Sequence, residues 1–157
     1  MNSEPTSPQT PPVPDWIVLV DECLVVINKP AGLRSVPDGY EPALPHLRSV
    51  LDPVFGRLWM VHRLDKETSG LMVLARDAGT HRELNRQFRE REPVKRYLAQ
   101  VAPLPAWDEI SLEAPLKVNA DRAHRTRVDM EKGKPARTDF LVLRREANWA
   151  ELECRLH

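Results

Sequence analysis

His62-Arg63-Leu64-Asp65-Lys66-Glu67-Thr68-Ser69-Gly70-Leu71-Met72-Val73-Leu74-Ala75-Arg76-Asp77 puts a carboxylate, Asp65, in a polar turn directly behind two basic groups, His62 and Arg63. Thr68-Ser69-Gly70 then gives way to the apolar run Leu71–Ala75, which has the length and character of a buried strand. A strand therefore anchors a charged loop, which is how folds commonly mount reactive groups. Asp77 closes the stretch as a helix N-cap, so a helix is predicted from Ala78 to about Glu92, ended by Pro93. Leu84 and Phe88, spaced i,i+4, give that helix an inner face, with Arg82, Arg86, Arg89 and Arg91 mainly outside it.

Working outward, residues 1–14 read as a disordered Pro/Ser/Thr-rich arm. Trp16–Val20 and Leu24–Asn28 are apolar runs of strand length and are expected to form a mostly buried hairpin. Lys29-Pro30-Ala31-Gly32 stops the second run, because Pro30 lacks an amide hydrogen and Gly32 permits positive φ. Leu44–Leu51 predicts a short helix with Leu44, Leu47, Val50 and Leu51 on one face. After the Ala78 helix come a strand over Val94–Ala102, a proline-interrupted link, and strands over Thr126–Met130, Ala136–Arg144 and Trp149–Leu156, the last two close enough to pair. This order predicts an α+β fold with a mixed, largely antiparallel β-sheet and flanking helices. The strand pattern is still running at Arg155-Leu156-His157, which predicts a partial sequence, with 15–157 as the N-terminal portion of a domain.

Composition bounds the class. A chain of 157 residues with 41% apolar and 29% charged residues is that of an ordinary folded protein. No apolar run approaches the ~20 residues needed to span a bilayer, and the N-terminus has neither a basic nor an apolar segment of signal type. Cys23 and Cys154 lack metal-ligand spacing and are read as buried free thiols, with the cytoplasm as the compartment. Net charge is zero but unevenly spread. Residues 1–56 hold three Lys/Arg against seven Asp/Glu, whereas 57–96 hold ten against six. Within 117–137, Lys117, Arg122, Arg125, Arg127, Lys132, Lys134 and Arg137 face three acidic residues. Two basic stretches would suit a phosphate backbone; solvated faces with internal ion pairs are the plainer alternative.

The residues alone leave the chemistry open. Asp65 beside Arg63 and His62 is a candidate nucleophile, or only a turn ion pair. Tyr97, on a strand after Lys95-Arg96, is a candidate for stacking on an unstacked base, or an ordinary half-buried tyrosine. His46, His81 and His124 stand singly and read as surface or packing residues. No metal-ligand cluster, G-x-S-x-G elbow, G-x-x-x-x-G-K-[ST] loop or G-x-G-x-x-G turn is present in the sequence.

His62-Arg63-Leu64-Asp65-Lys66-Glu67-Thr68-Ser69-Gly70-Leu71 resembles the H-R-L-D-x-x-T-S-G-L segment of the RluA-type pseudouridine synthases. In order, Leu24–Leu33 is similar to that family's N-terminal strand and N-K-P-x-G-L loop, Gln87–Arg91 to its helix end, and Lys95–Ala99 to its K-x-Y-x-A strand. Gly133–Thr138 also fits. Ser35-Val36-Pro37 and Phe88–Pro93 resemble the subgroup that modifies both ribosomal and transfer RNA.

The resemblance implies isomerisation of uridine to pseudouridine in structured RNA (rRNA and/or tRNA stem-loops), with no metal and no organic cofactor; a monomer is expected, although the residues do not bear on oligomeric state. It implies Asp65 as the catalytic nucleophile, with Arg63, Tyr97 and His62 as substrate-binding residues: Arg63 holding the base out of the stack and Tyr97 packing on it. Family members continue past a point like Arg155-Leu156-His157 into a T-G-R-x-H-Q-I-R segment, so an isolated chain of this length is expected to lack a basic partner for Asp65. A catalytically silent RNA-binding module is the alternative expectation. A metal-free hydrolase releasing uracil is a third.

Overall fold

Alternation along Leu24-Val25-Val26-Ile27-Asn28-Lys29 sets the first sheet, because every second residue turns to the same side. Val25, Ile27 and Lys29 are all 0% exposed, while the residues between them are only partly covered. In the computed structural model, which describes residues 12–120 and 125–157, this strand belongs to a first compact unit ending at Glu90; a second runs from Arg91 to His157. The proline-rich arm thus falls outside the described residues except for 12–14, as do Arg122 and His124.

The first unit contains β1 (Ile17–Val20), β2 (Leu24–Lys29), α1 (Leu47–Phe55), β3 (Trp59–Met60), β4 (Gly70–Ala75) and α2 (Ala78–Arg89). The strands form an antiparallel sheet in the order β1-β2-β4-β3. The expected hairpin is present, but β1 is not buried: Val18, Leu19 and Val20 are exposed at the sheet edge. The core lies on the other strands. Ile27 pairs with Met72 and Val25 with Leu74, and Leu47, Leu51 and Leu58 are buried with them.

The first helix begins three residues later than its apolar pattern suggests. Pro45 disfavours helical φ/ψ at Leu44, and His46 stays extended as the N-cap, its ring accepting from the Ser49 amide while Ser49 Oγ accepts from the His46 amide. The helix then continues through Pro53, because burying Leu47 and Leu51 stabilises it beyond local propensity. Asp77 caps α2 as expected, accepting from the amides of Gly79 and Thr80 at 2.7 and 3.0 Å. Hydrogen bonds to Thr80 and Gly79 hold its carboxyl below the usual carboxylate range.

The second unit is a five-stranded antiparallel sheet: β5 (Lys95–Val101), β6 (Glu109–Lys117), β7 (Arg127–Val128), β8 (Lys134–Arg145) and β9 (Ala150–Leu156), in the order β5-β9-β8-β6-β7. Strands β8 and β9 pair as the sequence suggests. The α+β class with antiparallel pairing holds, with the strands divided between two sheets. Strand β6 was hidden by its proline. Ile110, Leu112, Ala114 and Leu116 alternate as a strand should, and Pro115 stands opposite Pro135. With a proline on each side, that rung exchanges no amide hydrogen bonds, so neither residue breaks the ladder. Ala150, Leu152 and Cys154 form the buried centre of one face, with Tyr97, Ala99, Trp107 and Phe140 packed against it.

The core predicts a clear penalty: Leu51→Ala lowers stability by about 2–5 kcal/mol in urea unfolding, the usual range for removing a buried leucine. On the second sheet, hydrogen bonds from Ser111, His157 and Arg137 depress Asp139 from 3.8 to about 2. A carboxylate lowered in the folded state stabilises above its unfolded value and loses that contribution as pH falls through the folded one. The advantage of wild type over Asp139→Asn, followed by urea midpoints, is therefore expected to be full above pH 3.8 and gone below about 2.

Candidate active site

Strand β3 ends at Met60, and the chain leaves the sheet for residues 61–69 before re-entering as β4. Asp65 lies on this connection. Its side chain is 87% exposed, with a guanidinium nitrogen of Arg63, itself exposed, 3.9 Å from Oδ1. A carboxylate so placed is open to a substrate. What keeps it in place is the backbone on either side.

Before Asp65, Leu64 is 7% exposed and is gripped by Ser35, which is 3% exposed. The Ser35 hydroxyl donates to the Leu64 carbonyl at 2.6 Å and accepts from the Leu64 amide at 3.2 Å. After Asp65, the Lys66 carbonyl accepts from the Gly32 amide at 2.8 Å and from Lys29 Nζ at 3.2 Å. Gly32 reaches that position at φ +86, which a side chain would strain. The Thr68 amide donates back to the Asp65 carbonyl at 3.1 Å and closes the turn. The reactive side chain is solvated, but its main chain is fixed at both neighbours.

Lys29 is the less expected member. Fully buried at the end of β2, it also donates to the carbonyls of Pro30 and Leu33 at 3.0 and 2.8 Å. Burial pushes its ammonium below the ordinary lysine value, against the pull of Glu67 and Asp65, which favour the charge. The signal was in the alternation, since Val25, Ile27 and Lys29 share a face. Nothing in the sequence around Ser35 marked it as a partner of a residue 29 positions away.

His62 stands beside the loop rather than in front of it. Its Nε2 accepts from the Val73 amide at 3.1 Å, and its ring stacks on Phe88 at 4.6 Å between centroids and 15° between planes. Tyr97 belongs to the second unit. It sits half-buried on β5 opposite Cys154, in the apolar row with Leu152 and Phe140, the setting of an ordinary strand tyrosine left open by the sequence. Cys154 is buried as expected, its thiol pushed up by desolvation; Cys23 is exposed, against expectation, because it lies in the β1–β2 turn.

Several residues of the basic stretches are ion-paired. Arg86 bridges Glu83 and Glu90, Lys66 meets Glu67, Arg96 meets Glu153, Lys117 meets Asp129, and Arg137 meets Glu113 and Asp139. Among the described residues there is no group of three or more His, Cys, Asp or Glu that could hold a metal ion, and no helix long and apolar enough to cross a membrane.

A conserved-family model described as RNA pseudouridylate synthase matches residues 23–157, which include the whole 62–77 stretch. The chain belongs to the RNA pseudouridylate synthase family. It is 39% identical over 135 residues to the dual-specificity RNA pseudouridine synthase RluA of Salmonella typhi, across 85% of this chain and 62% of that protein. It is 41% identical over 141 residues to the RluA of Pasteurella multocida, across 88% and 64%. The chain thus spans a little over three fifths of these relatives. Among solved structures, the human RNA pseudouridylate synthase domain containing 4 superposes with a TM-score of 0.69 at 28% identity, over 89% of this chain and 58% of that one. The human domain containing 1 gives 0.74 at 24%, with the same coverage, a likeness of fold.

Ser35→Ala leaves the buried Leu64 amide and carbonyl without their hydroxyl partner and is expected to cost about 1–3 kcal/mol. Chemical denaturation measures it, and a loss of less than half a kcal/mol would show the serine to be dispensable.

Proposed function

We propose that this protein isomerises uridine to pseudouridine in structured RNA, with Asp65 as the nucleophile. The observation that carries the reading is a solvent-facing carboxylate on a backbone clamped at both neighbours, in a chain that belongs to this family. A nucleophile needs access and a fixed approach together.

The target base is first extruded from its helix, at a cost of a few kcal/mol. Asp65 attacks C1′ of the everted nucleotide, or acts by a related route, and the C1′–N1 bond breaks. The freed uracil turns and C5 bonds to C1′ as the bond between C1′ and the Asp65 carboxylate breaks, which returns the carboxylate. The C5 proton leaves to solvent and N1 takes up a proton, so atoms balance with no redox change. That chemistry asks for no cofactor. Arg63, exposed two residues before Asp65, fills the space the base vacates. Tyr97 packs on the target base, an interaction worth roughly 1–3 kcal/mol in comparable stacks. The names of the relatives carry dual specificity, and we extend to this protein a substrate range of rRNA and tRNA. The working unit is taken as a cytoplasmic monomer, with residues 15–157 forming part of its catalytic domain.

Pseudouridine mapping of total RNA from cells lacking the gene should show one or more sites lost, restored by the wild-type gene and not by an Asp65→Asn allele. Purified protein should release tritium from RNA carrying C5-tritiated uridine, with Asp65→Asn at background. Full activity in that variant would remove Asp65 from the chemistry. Unchanged maps with retained RNA binding would favour the silent binding module, and free uracil among the products would favour the hydrolase.

A further inference from the structure

Strand β4 meets β3 at two rungs only, Trp59 with Ala75 and Met60 with Leu74. Continued by one residue, the same register would bring Val61 opposite Val73. Instead the chain rises out of the sheet there, toward Asp65. The Val73 amide, pointing to the side that β3 has vacated, would then lack an acceptor, a costly state for a half-buried backbone donor. The His62 side chain supplies one: Nε2 accepts from Val73 at 3.1 Å, in place of a strand carbonyl. Because an amide can only donate, Nε2 presents its lone pair, and the neutral ring carries its proton on Nδ1. The ring plane is fixed in turn by Phe88 of α2, nearly parallel at 15°.

We propose that His62 is a positioning residue that sets where the Arg63–Asp65 loop leaves the sheet, and that it acts on the reaction through Asp65 rather than by touching RNA. This rests on the isomerase reading above. One nitrogen of the imidazole is engaged by the β4 backbone and one face by Phe88, both inside the first unit. Only Arg63 and Leu64 separate this anchor from Asp65, so a displacement of the anchor is passed to the carboxylate. Misplacement of a reacting group by about 1 Å can cost on the order of 100-fold in rate.

Three substitutions isolate the acceptor. His62→Phe keeps an aromatic ring for Phe88 and removes the acceptor. His62→Gln places an amide oxygen where Nε2 stands. His62→Asn reaches only as far as Nδ1. With saturating RNA carrying C5-tritiated uridine, His62→Phe and His62→Asn are expected to lower kcat by about tenfold or more at unchanged KM, and His62→Gln to recover most of that loss. Thermal unfolding of each variant gives the folded fraction to which kcat is referred. Nitrogen-15 NMR of the wild-type chain should show Nε2 unprotonated, and the Val73 amide should exchange faster in His62→Phe than in His62→Gln.

A raised KM with unchanged kcat would overturn the proposal and make His62 an RNA contact. Wild-type kcat in His62→Phe, or an imidazole protonated at Nε2 alone, would overturn it as well. If the wild-type protein turns over no RNA at all, the isomerase reading falls and takes the catalytic role of His62 with it. The NMR measurements still decide the anchor, so the two failures are told apart.

Discussion

A lysine ammonium withdrawn from water must be surrounded by oxygen, and at Lys29 the requirement is met by the main chain alone. Its Nζ takes the carbonyls of Pro30, Leu33 and Lys66. Two of these belong to the loop that follows β2 and one to the loop that carries Asp65. Desolvation of an isolated charge costs so much that the loops are not free to drift apart while the lysine stays buried. A buried cation thereby does for two irregular segments what a ladder of strand hydrogen bonds does for a sheet. The nearby carboxylates of Asp65 and Glu67 favour its charged form without enclosing it.

From that constraint follows the character of the candidate site. Asp65 could have been fixed by burying it, but a buried carboxylate would meet no substrate and would resist ionisation. Instead its neighbours are held: Leu64 by Ser35, Lys66 by Lys29 and Gly32. The side chain itself is left to solvent. The rigidity comes from β2 and β4, where Ile27, Met72 and Leu74 are packed. The shortness of β3 matters as much as the strength of β4. Only because pairing stops after two rungs is there slack for residues 61–69 to rise as a loop.

Charge tells a different story from the one suggested by counting. The basic residues of the second unit look, in one dimension, like a surface waiting for phosphate. On the sheet, many are cross-strand or near-neighbour partners of acidic residues: Arg96 with Glu153, Arg137 with Asp139 and Glu113, Arg144 with Glu151. Exposed pairs of this kind contribute little stability each. They nevertheless reduce the field that RNA would meet, so affinity for RNA cannot be read from the number of arginines. Ser111, Asp139 and His157 extend one such pair into a network, and its hydrogen bonds hold Asp139 well below the usual carboxylate range.

Local chemistry determined much of this protein. Apolar runs of strand length marked β2 and β4, strand-like stretches marked β8 and β9, Asp77 marked the start of α2, and the polar turn before an apolar run marked Asp65. Those features depend on residues within a few positions of each other, so one dimension contains them. Leu44–Leu51 misled because an apolar stripe says nothing about a proline and an extended cap shifting the start. Pro115 concealed β6 because its harmlessness depends on Pro135, twenty positions away and opposite it. Only the tertiary structure decided that Ser35 grips Leu64, that Lys29 reaches Lys66, and that His62 turns to Val73 and Phe88. Each of these joins segments that are distant along the chain. A buried polar group must find its partner wherever the fold brings one, and that partner has no fixed place in the sequence.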